Sequence, residues 1–284
     1  MDGDSRADLT VWRPNTGIWY TLLSGSSGEY TGTAWGVESD IPVLGDYDAD
    51  GKSDVSVWRP GTGVWYALLS GTPGAYASTQ WGLDTDIPVP GDYDGDGTTD
   101  FAVWRPGTGV WYVLLSGSPG SYTSTQWGLG TDIAVPGDYD GDGKTDIAVW
   151  RPDSGVIYIL YSGVPGTYAS IQWGISTDIP VPGDYDGDGK IDIAVWRPSD
   201  GIWYVLTSGT PGTYTATPWG MNGDHPVAGD FDGDGKTDIA VWRPSDEVWY
   251  ILNSGLPGTY NARQWGLPSD VAISPITGIL RVVP

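Results

Sequence analysis

Carboxylates at alternate positions in a short, glycine-bearing loop can converge on one cation, and this sequence repeats that arrangement. The pattern Asp-x-Asp-x-Asp-Gly-x-x-Asp is intact at Asp92, Asp94, Asp96 and Asp100. It recurs at Asp138, Asp140, Asp142 and Asp146, at Asp184, Asp186, Asp188 and Asp192, and at Asp230, Asp232, Asp234 and Asp238. Asp46, Asp48, Asp50 and Asp54 carry it with Ala49 between the second and third carboxylates. Four like charges so close together repel unless a cation neutralises them. Gly97 and its equivalents permit the sharp turn between carboxylates. The seventh loop position (Lys52, Thr98, Lys144, Lys190, Lys236) falls where calcium loops of related spacing offer a backbone carbonyl. All donors are hard oxygens with no His or Cys nearby, which favours Ca²⁺ over zinc or copper. The alternative is a set of solvated Asp/Gly turns. An EF-hand would need a bidentate Glu at loop position twelve, where Val103 stands instead. A first, damaged copy keeps Asp2, Asp4 and Asp8, has Ser5 for the glycine and lacks the first Asp, while Ile276 stands at that phase near the other end. The expectation is about five strong Ca²⁺ sites and one weak or empty one.

The elements that would position these loops follow from the repeat length. Trp12, Trp58, Trp104, Trp150, Trp196 and Trp242 recur every 46 residues. A fixed period of that length is one supersecondary unit copied in tandem. In the copy from Asp86 to Gly128, β-branched and aromatic runs bounded by Gly/Pro clusters read as four strands: Ile87–Asp92, Phe101–Arg105, Val110–Ser116 and Tyr122–Trp127. Four antiparallel strands per repeat match a propeller blade. Pro88 and Pro90 are two apart, so both missing N–H groups face one side, which suits a strand with an open edge. The N-terminus supplies three strands of a blade and the C-terminus an orphan strand, Asp270–Ser274, at the right phase. The expected fold is therefore all-β, a single six-bladed β-propeller over residues 1–284. Blade 1 comprises 8–36 plus a closing strand at 269–275; blades 2 to 6 span 39–82, 85–128, 131–174, 177–220 and 223–266. An open stack, or part of a larger ring, is the rival. Met1 begins inside a repeat, which reads as a piece of something longer. Gly91–Pro136 and Gly137–Pro182 differ at 14 of 46 positions, which suggests recent amplification, natural or engineered.

Topology places the Ser-Gly-x-Pro-Gly turns beside the acidic loops, and the Arg-Pro turns and Trp-Gly connectors on the opposite face. There each blade gathers Trp and Arg: Trp58, Arg59, Trp65 and Trp81; Trp104, Arg105, Trp111 and Trp127, with Asp132; Trp196, Arg197, Trp203 and Trp219. Trp104 and Trp111 should be cross-strand neighbours. In one reading Trp fills the space between blades and Arg pairs with a connector Asp. In the other, each group is a sugar site, with Trp stacking on pyranose C–H groups and the copies acting by avidity. Ile157 replaces Trp in the fourth copy, so a site there should be weaker.

The acidic loop followed by Ile-Ala-Val-Trp-Arg-Pro, as at Ile147–Pro152, resembles the FG-GAP/VCBS repeat family, which includes the integrin α-subunit propeller. The match covers essentially the whole chain, although Val-Pro-Gly and Trp-Arg-Pro replace the usual Phe-Gly and Gly-Ala-Pro flanks. The resemblance implies a β-propeller with Ca²⁺ in the loops joining the first two strands, in an exported or cell-surface, bacterial setting. Some fungal lectins on similar propellers bind sugars between blades.

Composition narrows the function classes. A formal charge of −23, with 23 of 33 Asp in the repeated loops, opposes nucleic acid and anionic membranes as partners. Zero Cys excludes disulfide and thiol chemistry. No signal peptide and no apolar run of membrane-spanning length is present. A single His225 and three Glu (Glu29, Glu38, Glu247) supply no recurring acid–base pair, and no nucleophile elbow, phosphate loop or HExxH motif occurs. The expectation is a monomeric, non-enzymatic recognition or scaffold module, with glycans or an extracellular protein as partner. The alternatives are a ligand-free structural or amplified scaffold, and an accessory domain of a polysaccharide-degrading enzyme.

Overall fold

The computed structural model describes residues 2–26 and 28–274. The protein is an all-β, six-bladed β-propeller of four-stranded antiparallel blades, with no helix among the described residues. It divides into two compact units. Trp35–Gln172 holds three blades. Their strands are Ile41–Gly45, Asp54–Arg59, Val64–Leu68 and Tyr76–Gln80; Ile87–Pro88, Phe101–Arg105, Val110–Leu114 and Tyr122–Gln126; and Ile133–Ala134, Ile147–Arg151, Val156–Leu160 and Tyr168–Gln172. The second unit, Met1–Ala34 with Trp173–Pro284, holds the other three. Two run in sequence order: Ile179–Pro180, Ile193–Arg197, Ile202–Leu206 and Tyr214–Pro218; then His225–Gly229, Asp238–Arg243, Val248–Leu252 and Tyr260–Gln264. The last brings the two ends together: Val271–Ile273 pairs antiparallel with Leu9–Arg13, which continues to Ile18–Leu22 and Tyr30–Ala34. Residue 275 of the expected closing strand, and Ile276, lie outside the described residues.

The first strand of a blade is shorter than the sequence suggests in three cases, with a local cause. Ile87–Pro88, Ile133–Ala134 and Ile179–Pro180 precede Pro90, Pro136 and Pro182, whereas Leu44 and Ala228 at the same place leave five-residue strands. Pairing nevertheless continues past the short segment. Val89 N–H donates to the Ala102 carbonyl at 2.8 Å, and Gly91 bridges Asp100. With Val89 donating inward, the nitrogens of Pro88 and Pro90 face the other edge, where a missing donor costs no ladder bond.

The core forms between successive blades of a unit. In Phe101–Arg105 and Val110–Leu114, the residues Ala102, Trp104, Trp111 and Val113 are buried and share one side. They pack with Val89 beneath Val149, Ile147 and Tyr158 of the next blade. The second unit repeats this: Ala194, Trp196, Trp203 and Val205 meet Val241, and Trp242, Trp249 and Ile251 meet Leu9 and Val11. Each of these tryptophans removes a large aromatic area from water, the dominant favourable term in such a sheet stack.

Candidate metal centres

Each acidic loop folds over its own first carboxylate. Asp92 Oδ1 accepts from the N–H of Gly95 at 2.6 Å and of Asp96 at 3.2 Å, and Oδ2 from Gly97 at 2.9 Å. Gly95 and Gly97 take φ of +79° and +88°, a region that favours residues without Cβ. Ala49 holds the first of these places at +59° in its own blade. Asp96 Oδ1 accepts the Thr98 N–H at 2.8 Å, and Asp94 Oδ2 accepts Gly117 N–H at 3.2 Å from the turn joining the third and fourth strands. The Ser-Gly turn and the acidic loop therefore share one end of the blade.

This folding draws carboxylates together. One oxygen each from Asp92, Asp94 and Asp96 lie within 4.8 Å of one another, as do those of Asp46, Asp48 and Asp50 and of Asp230, Asp232 and Asp234. In two blades the last carboxylate completes the group instead: Asp138, Asp140 and Asp146, and Asp184, Asp186 and Asp192. Asp142 and Asp188 stand beside those groups, each accepting a serine hydroxyl, from Ser162 and Ser208. The all-oxygen donor set fits a hard divalent cation. Asp48 Oδ1 adds an observation of its own: it is buried and has no hydrogen-bond partner in the protein. A buried oxygen without a donor is costly, and a cation would satisfy it.

The fourth carboxylate has a further duty that the sequence does not reveal. Asp100 is fully buried. Its Oδ1 accepts the N–H and Oγ–H of Ser116 at 2.7 and 2.8 Å, and its Oδ2 accepts Tyr93 N–H at 2.8 Å. It ties the loop to the turn that follows the third strand. Burial raises its carboxyl pKa above the ordinary value, against the pull of the Ser116 and Tyr93 donors. Asp54, Asp146, Asp192 and Asp238 are raised by the same cause. In the damaged copy Asp8 keeps this role, accepting Ser24 N–H at 2.7 Å, and Ser5 adopts φ of +68° in place of glycine. Asp2, Asp4 and Asp8 form no group of three oxygens as tight as the other five.

On the opposite end the candidate ligand face is packed away. Trp58, Trp65, Trp104, Trp111, Trp196 and Trp203 are 0–1% exposed, so none offers a ring face to a ligand. The stacking of sugars on these six rings is thus corrected: they form the core between blades. The cross-strand pairs hold, with Trp104 opposite Trp111 and centroids 6.2 Å apart. Arg105 Nε and Nη2 donate to Asp86 Oδ1 and Oδ2 at 2.8 and 2.9 Å, while its guanidinium lies 4.5 Å from the centre of the Tyr112 ring. Asp132 pairs with Arg151 in the same way. Arg59 and Arg197 are likewise held, by Asp40 and Asp178.

Trp81, Trp127 and Trp219 are half-buried instead. Their Nε1–H groups donate to the carbonyls of Tyr112, Tyr158 and Tyr250 in the following blade. Against each lies a tyrosine from that blade's outermost strand: Trp81 with Tyr122, Trp127 with Tyr168, Trp219 with Tyr260, at 5.5–5.8 Å. These tyrosines, with Tyr30, Tyr76 and Tyr214, are 59–63% exposed. Sequence reasoning passed over them, although the recurring Tyr opening each fourth strand was the available signal.

Six four-stranded blades, five of which present an acidic cation-ready loop after their first strand, define a propeller of acidic-loop repeats. The repeat itself can be assigned: the family model for the FG-GAP-like repeat matches residues 92–149, 138–195 and 184–241, together more than half of the chain. The chain belongs to the FG-GAP-like repeat family. No curated protein sequence matches it. Among solved structures, a lectin of Agrocybe aegerita described as recognising non-reducing terminal N-acetylglucosamine is 12% identical, with TM-score 0.61 and 96% of each chain covered. Virginiamycin B lyase from Staphylococcus aureus is 10% identical at TM-score 0.56, covering 90% of this chain and 80% of that one. A functionally unknown protein from Desulfotomaculum acetoxidans is 10% identical at 0.56, covering 94% and 99%. Identities this low carry the fold alone.

Proposed function

We propose that this protein is a non-enzymatic, calcium-binding recognition module that works outside the cell as a monomer. The observation that carries the metal reading is the set of five carboxylate groups, each with three oxygens within 4.8 Å, in loops that hydrogen bonds have already shaped. Preorganised hard donors suit Ca²⁺, and five such ions would bring the formal charge of −23 to about −13. The bound cation would supply charge neutralisation; the protein's own residues position it and tie each loop to its blade. Titration of chelator-treated protein with Ca²⁺ should reveal about five sites and a higher melting temperature, since a ligand at 100 times its Kd stabilises by about 2.7 kcal/mol per site. No calcium uptake and no melting shift with EDTA would refute it.

The ligand reading favours glycans over nucleic acid or membrane surfaces. It is supported by the six exposed tyrosines, each beside a half-buried tryptophan, as amphipathic rings that stack on sugar C–H faces. The fold shared with an N-acetylglucosamine-recognising lectin agrees with it. Six weak copies would act by avidity. A glycan array run with Ca²⁺, repeated on Tyr122→Ala with Tyr168→Ala, tests it. Binding by neither protein would favour a ligand-free scaffold, a reading to which the burial of Trp104 and Trp111 already gives weight. Absence of new reducing ends on pooled polysaccharides is expected for a module without catalysis.

A further inference from the structure

Within each unit, neighbouring acidic loops are hydrogen-bonded to each other through the eighth loop position. In the blade built from Phe101–Arg105, that residue is Thr99. Its N–H donates to the Asp46 carbonyl at 2.7 Å, and its hydroxyl oxygen accepts the Asp46 N–H at 2.9 Å. Both main-chain groups of the first ligand position in one loop are thus held by the next loop. Thr145 N–H holds the Asp92 carbonyl at 2.6 Å, and Thr237 N–H holds that of Asp184 at 2.6 Å. Ala7 makes the same main-chain contact to Asp230 at 2.6 Å, without a hydroxyl.

The fit is close. A Cβ on Gly45 would lie 2.6 Å from Thr99 Cγ2, and one on Gly91 would lie 2.7 Å from Thr145 Oγ1. Glycine before the first Asp is therefore required by the neighbouring threonine. The seventh position adds to the contact, since the Lys144 side chain lies over Gly95, with its Cγ and Cε 3.0 Å from where a Cβ would be. Thr99 itself stands between Thr98, whose carbonyl is a candidate donor, and Asp100. A cation in the Asp92–Asp100 loop would fix the residues on both sides of Thr99, and Thr99 in turn fixes Asp46.

We infer that Thr99 is a positioning residue for the neighbouring Asp46–Asp54 site, so that loading one loop raises the affinity of the loop before it, with Thr145 and Thr237 contributing through their main-chain N–H groups. This rests on the calcium reading above. It concerns preorganisation: a first ligand held by two hydrogen bonds has less freedom to lose when the ion arrives.

The test is a calcium titration of isotope-labelled, chelator-treated full chain followed by NMR. The amides of Gly51 and Gly97, which donate to Asp46 and Asp92, report the two loops separately. Thr99→Val keeps the shape and removes the hydroxyl. It should raise the Gly51 midpoint about fivefold, the size of one hydrogen bond to a main-chain group, and Thr99→Ser should restore it. A second arm avoids any folding defect at Thr99: Asp94→Asn with Asp96→Asn disables the donor loop, and the Gly51 midpoint should again rise. If neither amide responds in the unmodified protein, the calcium reading fails and the coupling with it. If both respond but the Gly51 midpoint stays unchanged in Thr99→Val, or in the double Asn variant, the coupling alone is overturned.

Discussion

Asp270→Ala tests how the two ends of the chain are fastened. The Asp270 side chain is fully buried, and it accepts Arg13 Nε at 2.8 Å, Arg13 Nη2 at 2.9 Å and Leu267 N–H at 2.9 Å. Arg13 is also stacked on Tyr20, its guanidinium 4.3 Å from the ring centre. Removing one partner of a buried pair costs about 3–5 kcal/mol, because the survivor keeps an uncompensated charge. Here the Arg13 side chain is 19% exposed, so water recovers part of that charge and about 2–4 kcal/mol is the expected loss. At about 2 °C per kcal/mol for a chain of this size, the melting temperature should fall by about 4–8 °C. Asp86→Ala removes the same local contacts inside a continuous blade and should cost a similar amount. The two should differ in one respect. Only Asp270→Ala loosens the short strand Val271–Ile273, so amide exchange along Leu9–Arg13 should speed up well below the melting range. The assay is thermal and urea unfolding at fixed calcium, with exchange read by mass spectrometry. A fall of less than about 1 °C for Asp270→Ala would refute the assignment of this pair as a fastening.

Three further outcomes are expected. Ser56 Oγ donates to the Val43 carbonyl at 2.6 Å, a carbonyl whose equivalents Val89, Val135 and Val181 instead accept Tyr93, Tyr139 and Tyr185; the buried Tyr47 hydroxyl is left without that acceptor. Ser56→Ala, which restores the alanine of the other blades, should therefore stabilise by about 1 kcal/mol in urea unfolding, and a loss of that size would contradict the account. Glu247 holds φ of +63° where Gly109 and its equivalents stand, so Glu247→Gly should gain about 0.5–1 kcal/mol by removing left-handed strain, measured the same way. His225 packs on Trp242 at 5.6 Å, and burial lowers its pKa below 6.5 despite the nearby Asp224. The unfolded chain then binds the proton more readily, so stability conferred by neutral His225 is complete above about pH 6.5 and declines as pH falls toward the folded pKa. His225→Ile should flatten that part of the stability profile, and an unchanged profile would show that His225 does not govern it.

The acidic period announced both the fold and the candidate metal loops because it is local: alternate Asp with Gly between them dictates its own turn wherever it occurs. Proline parity was equally legible, since Pro88 and Pro90 constrain one strand without reference to any other. What the sequence could not separate was core from ligand face among the tryptophans. In Phe101–Arg105 every central residue is apolar, and both sides of a blade are covered by neighbours, so the two-residue alternation that marks an exposed side is missing. The outermost strand Tyr76–Gln80 regains it: Tyr76, Ser78 and Gln80 are exposed with Ala77 and Thr79 half-buried between them, and there the exposed tyrosine stands out only after the other strands are known to be buried. The four carboxylates of a loop looked equivalent for a similar reason, since spacing carries no record of partners. Asp100 differs from Asp94 because Ser116 and Tyr93 close over it, and those donors arrive from the turn after the third strand and from the loop's second residue. The Thr99 contact lies further still from the pattern, 53 residues from Asp46. It connects one repeat to another, and in a tandem array such contacts turn a row of equivalent loops into a linked set. If that linkage holds, the repeat length that identifies each blade also sets the spacing over which calcium binding is felt.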